Sequence, residues 1–275
     1  MEVSVRERVM ERLLDAVETY ASDHKLSVFF RNVLCNEVSF MQLLHKRDYT
    51  ETQGYPITYL DTEWLSLPEY KAYITRTVSK NMTKCISREI NKNRKSAVII
   101  QELEKPEEYE ERCYELLTNN YHKYNRLPFP FKKEFLRKLK QNLGKEVVIY
   151  AAFKKGTLMG VTFLLARDRI AYLPAVGIDH CMALNDFTYF NITFYRPIID
   201  CFSKGIRRLY LGNAMYTLKM RRGSKLAGTY IFYKPYHKTT AIVVKPWFML
   251  HSFWMLRKLD PHVRNNINFS INDVT

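Results

Sequence analysis

The sequence predicts an α+β fold, with a mixed and mostly antiparallel sheet that carries one β-α-β crossover and follows a mostly helical N-terminal region. Three observations support this. Apolar residues recur at three- and four-residue steps through much of residues 1–95, the period of an amphipathic helix. From Val147 to Ala175, short β-branched and aromatic runs alternate with tight turns, the pattern of an antiparallel meander. A helical stretch that stops at Gly205 then separates two strands, which lets the second lie parallel to the first.

Val5, Val9, Leu13, Ala16, Val17 and Tyr20 draw an apolar stripe on the first helix, and Val38 to Leu44 forms a shorter one. Tyr49 to Leu60 contains Gly54 and Pro56 and ends in an alternating run, so it reads as loop plus strand. Ser66 and Glu69 have capping-box spacing, and Tyr70, Tyr73, Ile74, Thr77, Ile86 and Ile90 mark one long helix running to Asn93. Its outer side carries Lys80, Lys84, Arg88, Lys92 and Arg94. A strand at 98–100, a helix at 107–121 and a basic helix at 132–142 follow, the last ended by Gly144. The meander has strands at 147–153, 157–166 and 170–175. A loop spans 176–186, the crossover helix 187–204, and the next strand 207–211. Strands at 229–233 and 239–244 close the sheet, and a last amphipathic helix holds Trp247, Phe248, Leu250, Phe253, Trp254 and Leu256. The predicted division is a helical region over 1–95, a mixed domain over 96–260 and a frayed polar tail over 261–275. Strands flanking a crossover helix can splay and leave a slot whose backbone groups hydrogen-bond an extended, amide-bearing ligand.

With 275 residues, 47% of them hydrophobic, the chain can bury a sizeable core, which excludes wholesale disorder. The formal charge of +15 favours a polyanionic partner: nucleic acid, an anionic membrane, a phosphorylated cofactor or an acidic carrier protein. Five cysteines, an odd number without Cys-x-x-Cys or Cys/His clustering, argue against a disulfide framework and against a metal site, and fit free thiols in a reducing compartment. The charged N-terminus lacks the apolar core of a secretory signal, and no window reaches the length of a membrane span. The expected location is cytoplasmic, without stable membrane insertion.

The run from Asp186 to Tyr233, with a helix ending at Gly205, the strand Arg207 to Gly212, and then Tyr216, Lys219 and Gly223 as Y-x-x-K-x-x-x-G, resembles the core of the GNAT acyltransferase superfamily. Within it, the chain is most similar to the BioF2-like or FemAB-like branch, in which a strand ending in Leu-Asp, here Leu60-Asp61, precedes a basic helix. The resemblance covers roughly residues 50–245. It implies a GNAT fold, makes the N-terminal region a candidate degenerate GNAT half, and implies transfer of an acyl group from a thioester to an amine-bearing small molecule or peptide. Acyl-CoA or the phosphopantetheine thioester of an acyl carrier protein would be the co-substrate, with no permanently bound cofactor. Relatives that use acyl-CoA carry R/Q-x-x-G-x-G/A before the crossover helix, whose N–H groups hold pyrophosphate. Here Gly177 is the sole glycine of the corresponding stretch, which puts free CoA in question. The alternative is FemAB-type transfer from aminoacyl-tRNA in cell-wall synthesis. A further one, from another class, is a non-catalytic basic protein that binds nucleic acid or other polyanions.

Asp179 and His180 follow the meander where the slot would open, and either could take the acceptor's ammonium proton; both could equally be ordinary loop residues. Asn213 could polarise the donor carbonyl or form a turn, and Tyr216 could protonate the leaving group. Tyr189, Lys219, Arg221 and Arg222 are the candidate cofactor-binding residues, set against a solvated helix face. Asp186 reads as an N-cap. Lys132, Lys133, Arg137, Lys138 and Lys140 read as a surface helix that could dock a carrier protein or RNA. Cys181 has no partners suited to a nucleophile. The C-terminal helix from Trp247 to Lys258 offers either core packing, the favoured reading, or peripheral membrane contact.

Overall fold

A computed structural model of the chain describes residues 4–127 and 129–270. In order, the elements are α1 (Val5–Asp23), β1 (Val28–Leu34), α2 (Val38–Lys46), β2 (Thr50–Gln53), β3 (Ile57–Asp61), α3 (Leu67–Thr77), α4 (Lys80–Lys95), β4 (Val98–Glu102), α5 (Glu110–Asn125) and α6 (Phe135–Leu143). Then come β5 (Val147–Lys154), β6 (Thr157–Arg167), β7 (Ile170–Tyr172), β8 (Val176–Ile178), α7 (Thr188–Phe190), a π-helical turn over Asn191–Tyr195, and α8 (Arg196–Lys204). The chain continues through β9 (Arg208–Gly212), α9 (Tyr216–Met220), β10 (Lys225–Ala227), β11 (Thr229–Lys234), α10 (Lys238–Lys258), α11 (Pro261–Asn265) and β12 (Ile267–Asn268). Pro128 and the last five residues, part of the predicted tail, lie outside the described residues.

The chain divides into two compact units. Among the described residues, unit 1 comprises 4–58, 213–217 and 225–270, and unit 2 comprises 59–212 and 218–224. Residues 59–95 of the predicted helical region thus fall in the same unit as most of the predicted mixed domain.

In unit 2 the strands run in the order β3-β9-β7-β6-β5-β4, with β8 also on β6. β5 and β6 form the meander, joined by Lys155 and Gly156, both at positive φ as a two-residue hairpin turn requires. β5 is buried on both faces. Its Val148, Tyr150 and Ala152 pack with Ile192, Ile198 and Leu209, while Val147, Ile149 and Ala151 pack with Leu116, Leu117 and Leu136 of α5 and α6. This two-sided burial explains why the segment reads as a continuous apolar run.

Unit 1 holds an antiparallel sheet of order β1-β11-β2, with Leu14 of α1 and Leu44 of α2 packed on Val33 and Phe232. Two predictions fail here. Thr229–Lys234 is the central strand of this small sheet, not a closing strand of the larger one, and residues 239–244 belong to α10. The α1 stripe also points outward: Val5, Val9, Leu13, Val17 and Tyr20 are exposed, and Leu14 and Ala21 make the buried contact. β1 escapes notice in the sequence because Asn32, at positive φ, bulges the strand between Phe30 and Val33 and breaks its alternation. The predicted helix through Asn93 divides at Val78, since Ser79 accepts the Met82 N–H and starts α4 afresh. The expected frayed tail contains α11 and β12, which pairs in parallel with β10.

A candidate active site where strands diverge

Unit 2 opens its sheet beside the crossover helix. β7 pairs in parallel with β9 over Ile170↔Arg208, Ala171↔Leu209 and Tyr172↔Tyr210. The Leu173 N–H then donates to the Tyr210 carbonyl at 2.9 Å. β6 meets β7 and β8 in registers offset by one residue, from Leu165↔Tyr172 to Thr162↔Val176. Residues 173–175 therefore absorb one extra residue as a bulge that includes Pro174, which has no N–H to donate. Beyond it β8 pairs with β6 alone, and Leu211 and Gly212 of β9 continue without β8 beside them. The predicted third strand thus ends at Tyr172, the predicted loop contains β8, and the expected splay is present.

Lys219 sits at this divergence. Its Nζ donates to the carbonyl of Leu211, the residue just past the last β7–β9 pair. The side chain is only 7% exposed. Burial pushes its pKa from 10.5 down to about 7, so near neutral pH much of it is a free amine able to accept a proton.

Arg222, expected to reach a ligand phosphate, turns inward. Its Nη2 donates to both Glu89 carboxylate oxygens at 2.7 and 2.8 Å, Nε to the Tyr195 hydroxyl at 3.0 Å, and Nη1 to the Leu218 carbonyl at 2.9 Å. Tyr195 also donates to Glu89, and the guanidinium lies 3.6 Å from the Phe190 ring centre. Arg222 and Glu89 are each 3% exposed. Burial opposes the Arg222 charge, but Tyr195 and Glu89 outweigh it and its pKa ends above the usual value. This bracket joins α4, the π-helical turn and the segment after α9. Arg221, its neighbour, is exposed. Tyr189 is half-buried, and burial raises its pKa to about 12.

Asp179 caps a turn. One carboxylate oxygen accepts from Arg112 at 2.7 Å, and the other from the N–H groups of Cys181 and Met182 at 3.0 and 3.1 Å. Burial raises its pKa, but these donors more than reverse that, which makes Asp179 a weak proton acceptor. His180 is exposed, its Nε2 is 3.3 Å from Asn120 Oδ1, and burial followed by Lys123 lowers its pKa. Asn213 and Tyr216 fall in unit 1. Asn213 is half-buried in the bend after β9. The Tyr216 hydroxyl donates to the Pro56 carbonyl at 2.9 Å, and burial pushes its pKa up, so its proton is already engaged.

The start of the crossover helix is filled from within. Asp186 Oδ1 accepts the Thr188 N–H at 3.0 Å and the Thr188 hydroxyl at 2.7 Å, while Oδ2 accepts from Lys154 at 3.0 Å. A buried carboxylate thus holds the place where an anionic ligand would meet a helix N-terminus. Gly177 has a packing role: a Cβ there would lie 2.5 Å from the Leu116 carbonyl carbon and 2.6 Å from the Leu117 nitrogen. The basic helix is partly neutralised, with Arg137 on Glu110 and Lys140 on Glu102. Among the described residues no group of His, Cys, Asp or Glu could hold a metal.

Glu89 is the residue that sequence reasoning missed. A signal exists: it is the sole acid of α4 and lies between Ile86 and Asn93 on the helix's inner side. Asn93 itself donates to the Asp186 carbonyl at 3.0 Å and fixes the start of the crossover helix.

Residues 2–262 match the FemAB-like family, described as peptidoglycan biosynthesis/recognition. The chain belongs to that family. No curated protein matches it in sequence. Among solved structures, L-PGS from Bacillus licheniformis superposes with a TM-score of 0.59 at 12% identity, over 87% of this chain and 77% of that one. The C-terminal domain of a putative lysylphosphatidylglycerol synthetase from Agrobacterium fabrum gives 0.57 at 10% identity, over 90% and 78%. FemX gives 0.55 at 7% identity, over 87% and 79%. At such identities the likeness concerns the fold, and it agrees with the GNAT arrangement of meander, crossover and splay in this FemAB-like chain.

Proposed function

We propose that this FemAB-like protein is an aminoacyltransferase that moves an aminoacyl group from aminoacyl-tRNA to an amine of a peptidoglycan-precursor peptide in the cytoplasm. The carrying observation is Lys219, buried, with its pKa lowered to about 7, at the point where β9 parts from the sheet. The thioester reading recedes on two grounds. The family belongs to peptidoglycan biosynthesis and recognition, which bears on both thioester donors, and Asp186 occupies the helix end that the pyrophosphate of acyl-CoA would need. The similar FemX and lysylphosphatidylglycerol synthetase folds favour the same choice.

The acceptor amine attacks the ester carbonyl carbon of the donor. The C–N bond forms, the C–O bond to the tRNA ribose breaks, and the amine proton passes to Lys219 Nζ and on to the leaving ribose oxygen. Backbone groups along the diverging strands orient the acyl unit and stabilise the oxyanion. Lys80, Lys84, Arg88 and Lys92 form an exposed ridge on α4 at four-residue spacing, without an acidic partner among the described residues, and suit a polyanionic donor.

The test supplies radiolabelled aminoacyl-tRNA and a precursor peptide, in parallel with acyl-CoA and acyl carrier protein thioesters. Labelled peptide is expected, and treating the aminoacyl-tRNA with RNase beforehand is expected to prevent its formation. Transfer from thioesters alone would restore the earlier reading, and transfer from neither would remove the enzyme assignment.

A further inference from the structure

Helix α10 is apolar on two sides. Its inner side places Phe248 against the Tyr233 ring at 5.3 Å, and the Ser252 hydroxyl donates to the Gln53 carbonyl at 2.9 Å. Because the sheet takes Phe248 and Ser252, other large residues of the helix must face away. Ile242, Leu250 and Phe253 are exposed, and Trp247 and Trp254 are 57% and 59% exposed. At 3.6 residues per turn, Leu250, Phe253 and Trp254 lie opposite Phe248. Arg257 extends that face, with its guanidinium 4.4 Å from the Phe253 ring centre, and Lys258 follows. The segment from 238 to 258 contains no Asp or Glu. Core packing, the favoured expectation for these aromatics, accounts for Phe248; Trp247 meets the Phe248 ring edge-on at 5.4 Å, yet its indole and that of Trp254 remain mostly exposed.

We infer that the outer face of α10 docks on an anionic lipid bilayer as a peripheral, in-plane contact. Indoles favour the boundary between headgroups and acyl chains, and Arg257 and Lys258 would meet lipid phosphates. Charge selects this occupant. The chain carries +15 and α10 carries only cationic charges, so a second copy would bring like charge to the same face. The exposed apolar side of α1 lacks this property, since Glu7, Glu11 and Asp15 interrupt it. Among the described residues no helix is long and apolar enough to cross a membrane, which leaves surface contact as the mode. The inference does not depend on the proposed reaction.

Flotation of the full chain with vesicles of phosphatidylglycerol and phosphatidylcholine, against phosphatidylcholine alone, tests it. Binding to the anionic vesicles is expected. Trp247→Ser with Trp254→Ser, which leaves every charge in place, is expected to weaken it about tenfold or more. Arg257→Glu with Lys258→Glu is expected to weaken it as a second, independent variant, with circular dichroism confirming that both fold. Three outcomes would overturn the inference. One is no flotation of the intact chain. Another is unchanged binding of the tryptophan variant, which would mean a generic effect of net charge. The last is a dimer in light scattering that the tryptophan substitutions dissociate.

Discussion

Replacing Lys219 by Met keeps most of the buried stem and removes the ionisable group. The folded pKa of Lys219 is about 7, against 10.5 for the solvated side chain. Below pH 7 both the folded and unfolded chains hold the proton, and the full cost of burying the charge, about 5 kcal/mol, opposes folding. Between 7 and 10.5 the unfolded chain binds more protons than the folded one, so stability rises with pH. By pH 9 the remaining cost is about 2 kcal/mol. The Met variant escapes this dependence. It also leaves the Leu211 carbonyl without its donor, a loss of about 1–3 kcal/mol that does not vary with pH. The difference in urea-unfolding free energy between variant and wild type should therefore shift against the variant by about 3 kcal/mol between pH 6 and pH 9. Transferase activity should rise with pH through about 7 in the wild type, following deprotonation of Lys219. It should be nearly absent in the variant. A stability difference that stays flat over this range would refute the buried amine without a counter-charge and the proton-acceptor role that rests on it.

Glu89→Gln should destabilise the fold by about 3–5 kcal/mol, read by urea unfolding, because it strands the buried Arg222 charge. Combining it with Arg222→Met should cost less than the two single losses together, since the double variant leaves no unpaired ion. Gly177→Ala should cost about 1–3 kcal/mol in the same measurement, as the new methyl meets the α5 backbone at 2.5–2.7 Å. Reversing Lys84, Arg88 and Lys92 to Glu should leave the melting temperature nearly unchanged but weaken tRNA binding. The slope of log affinity against log salt should also fall by about 2–3 if each side chain contacts one phosphate.

Much of the fold was legible because it depends on local patterns. The meander, the 154–156 turn, the crossover helix and its Gly205 cap follow from periodicity and turn chemistry alone. What remained hidden depends on partners distant in sequence. Thr229–Lys234 looks like any strand, and nothing within it says that it joins β1 and β2. α1 shows an apolar stripe, yet the face that is buried holds Leu14 and Ala21, since burial depends on what is packed nearby. At the site, the Y-x-x-K-x-x-x-G spacing led to Lys219, and its glycine has a local reason. Gly223 is at positive φ with no room for a Cβ, which would lie 2.8 Å from the Tyr73 ring. Glu89 stayed hidden because its role comes from Arg222, far along the chain.

Three basic residues within four positions of the motif region illustrate why composition could not assign roles there. Lys219, Arg221 and Arg222 look alike as a cationic cluster, but their environments give them different chemistry. Arg222 is buried with a carboxylate and a phenol around it, so its charge is secured and it acts as a strut. Arg221 faces solvent. Lys219 is buried with a backbone carbonyl as its hydrogen-bond acceptor, so desolvation is uncompensated and its charge becomes labile. The strut is part of the cause: Arg222 on Glu89, with Tyr70 donating to the Arg222 carbonyl at 2.9 Å, pins the segment that follows α9. With that segment fixed, Lys219 cannot swing its Nζ into water without disturbing the bracket three residues away. A conservative Arg222→Lys exchange should therefore raise the Lys219 pKa as well as loosen the fold, because a single ammonium cannot reproduce the fork on Glu89, Tyr195 and Leu218. A pH–activity midpoint moved upward in that variant, with Lys219 itself untouched, would separate a positioning role for Arg222 from a purely structural one.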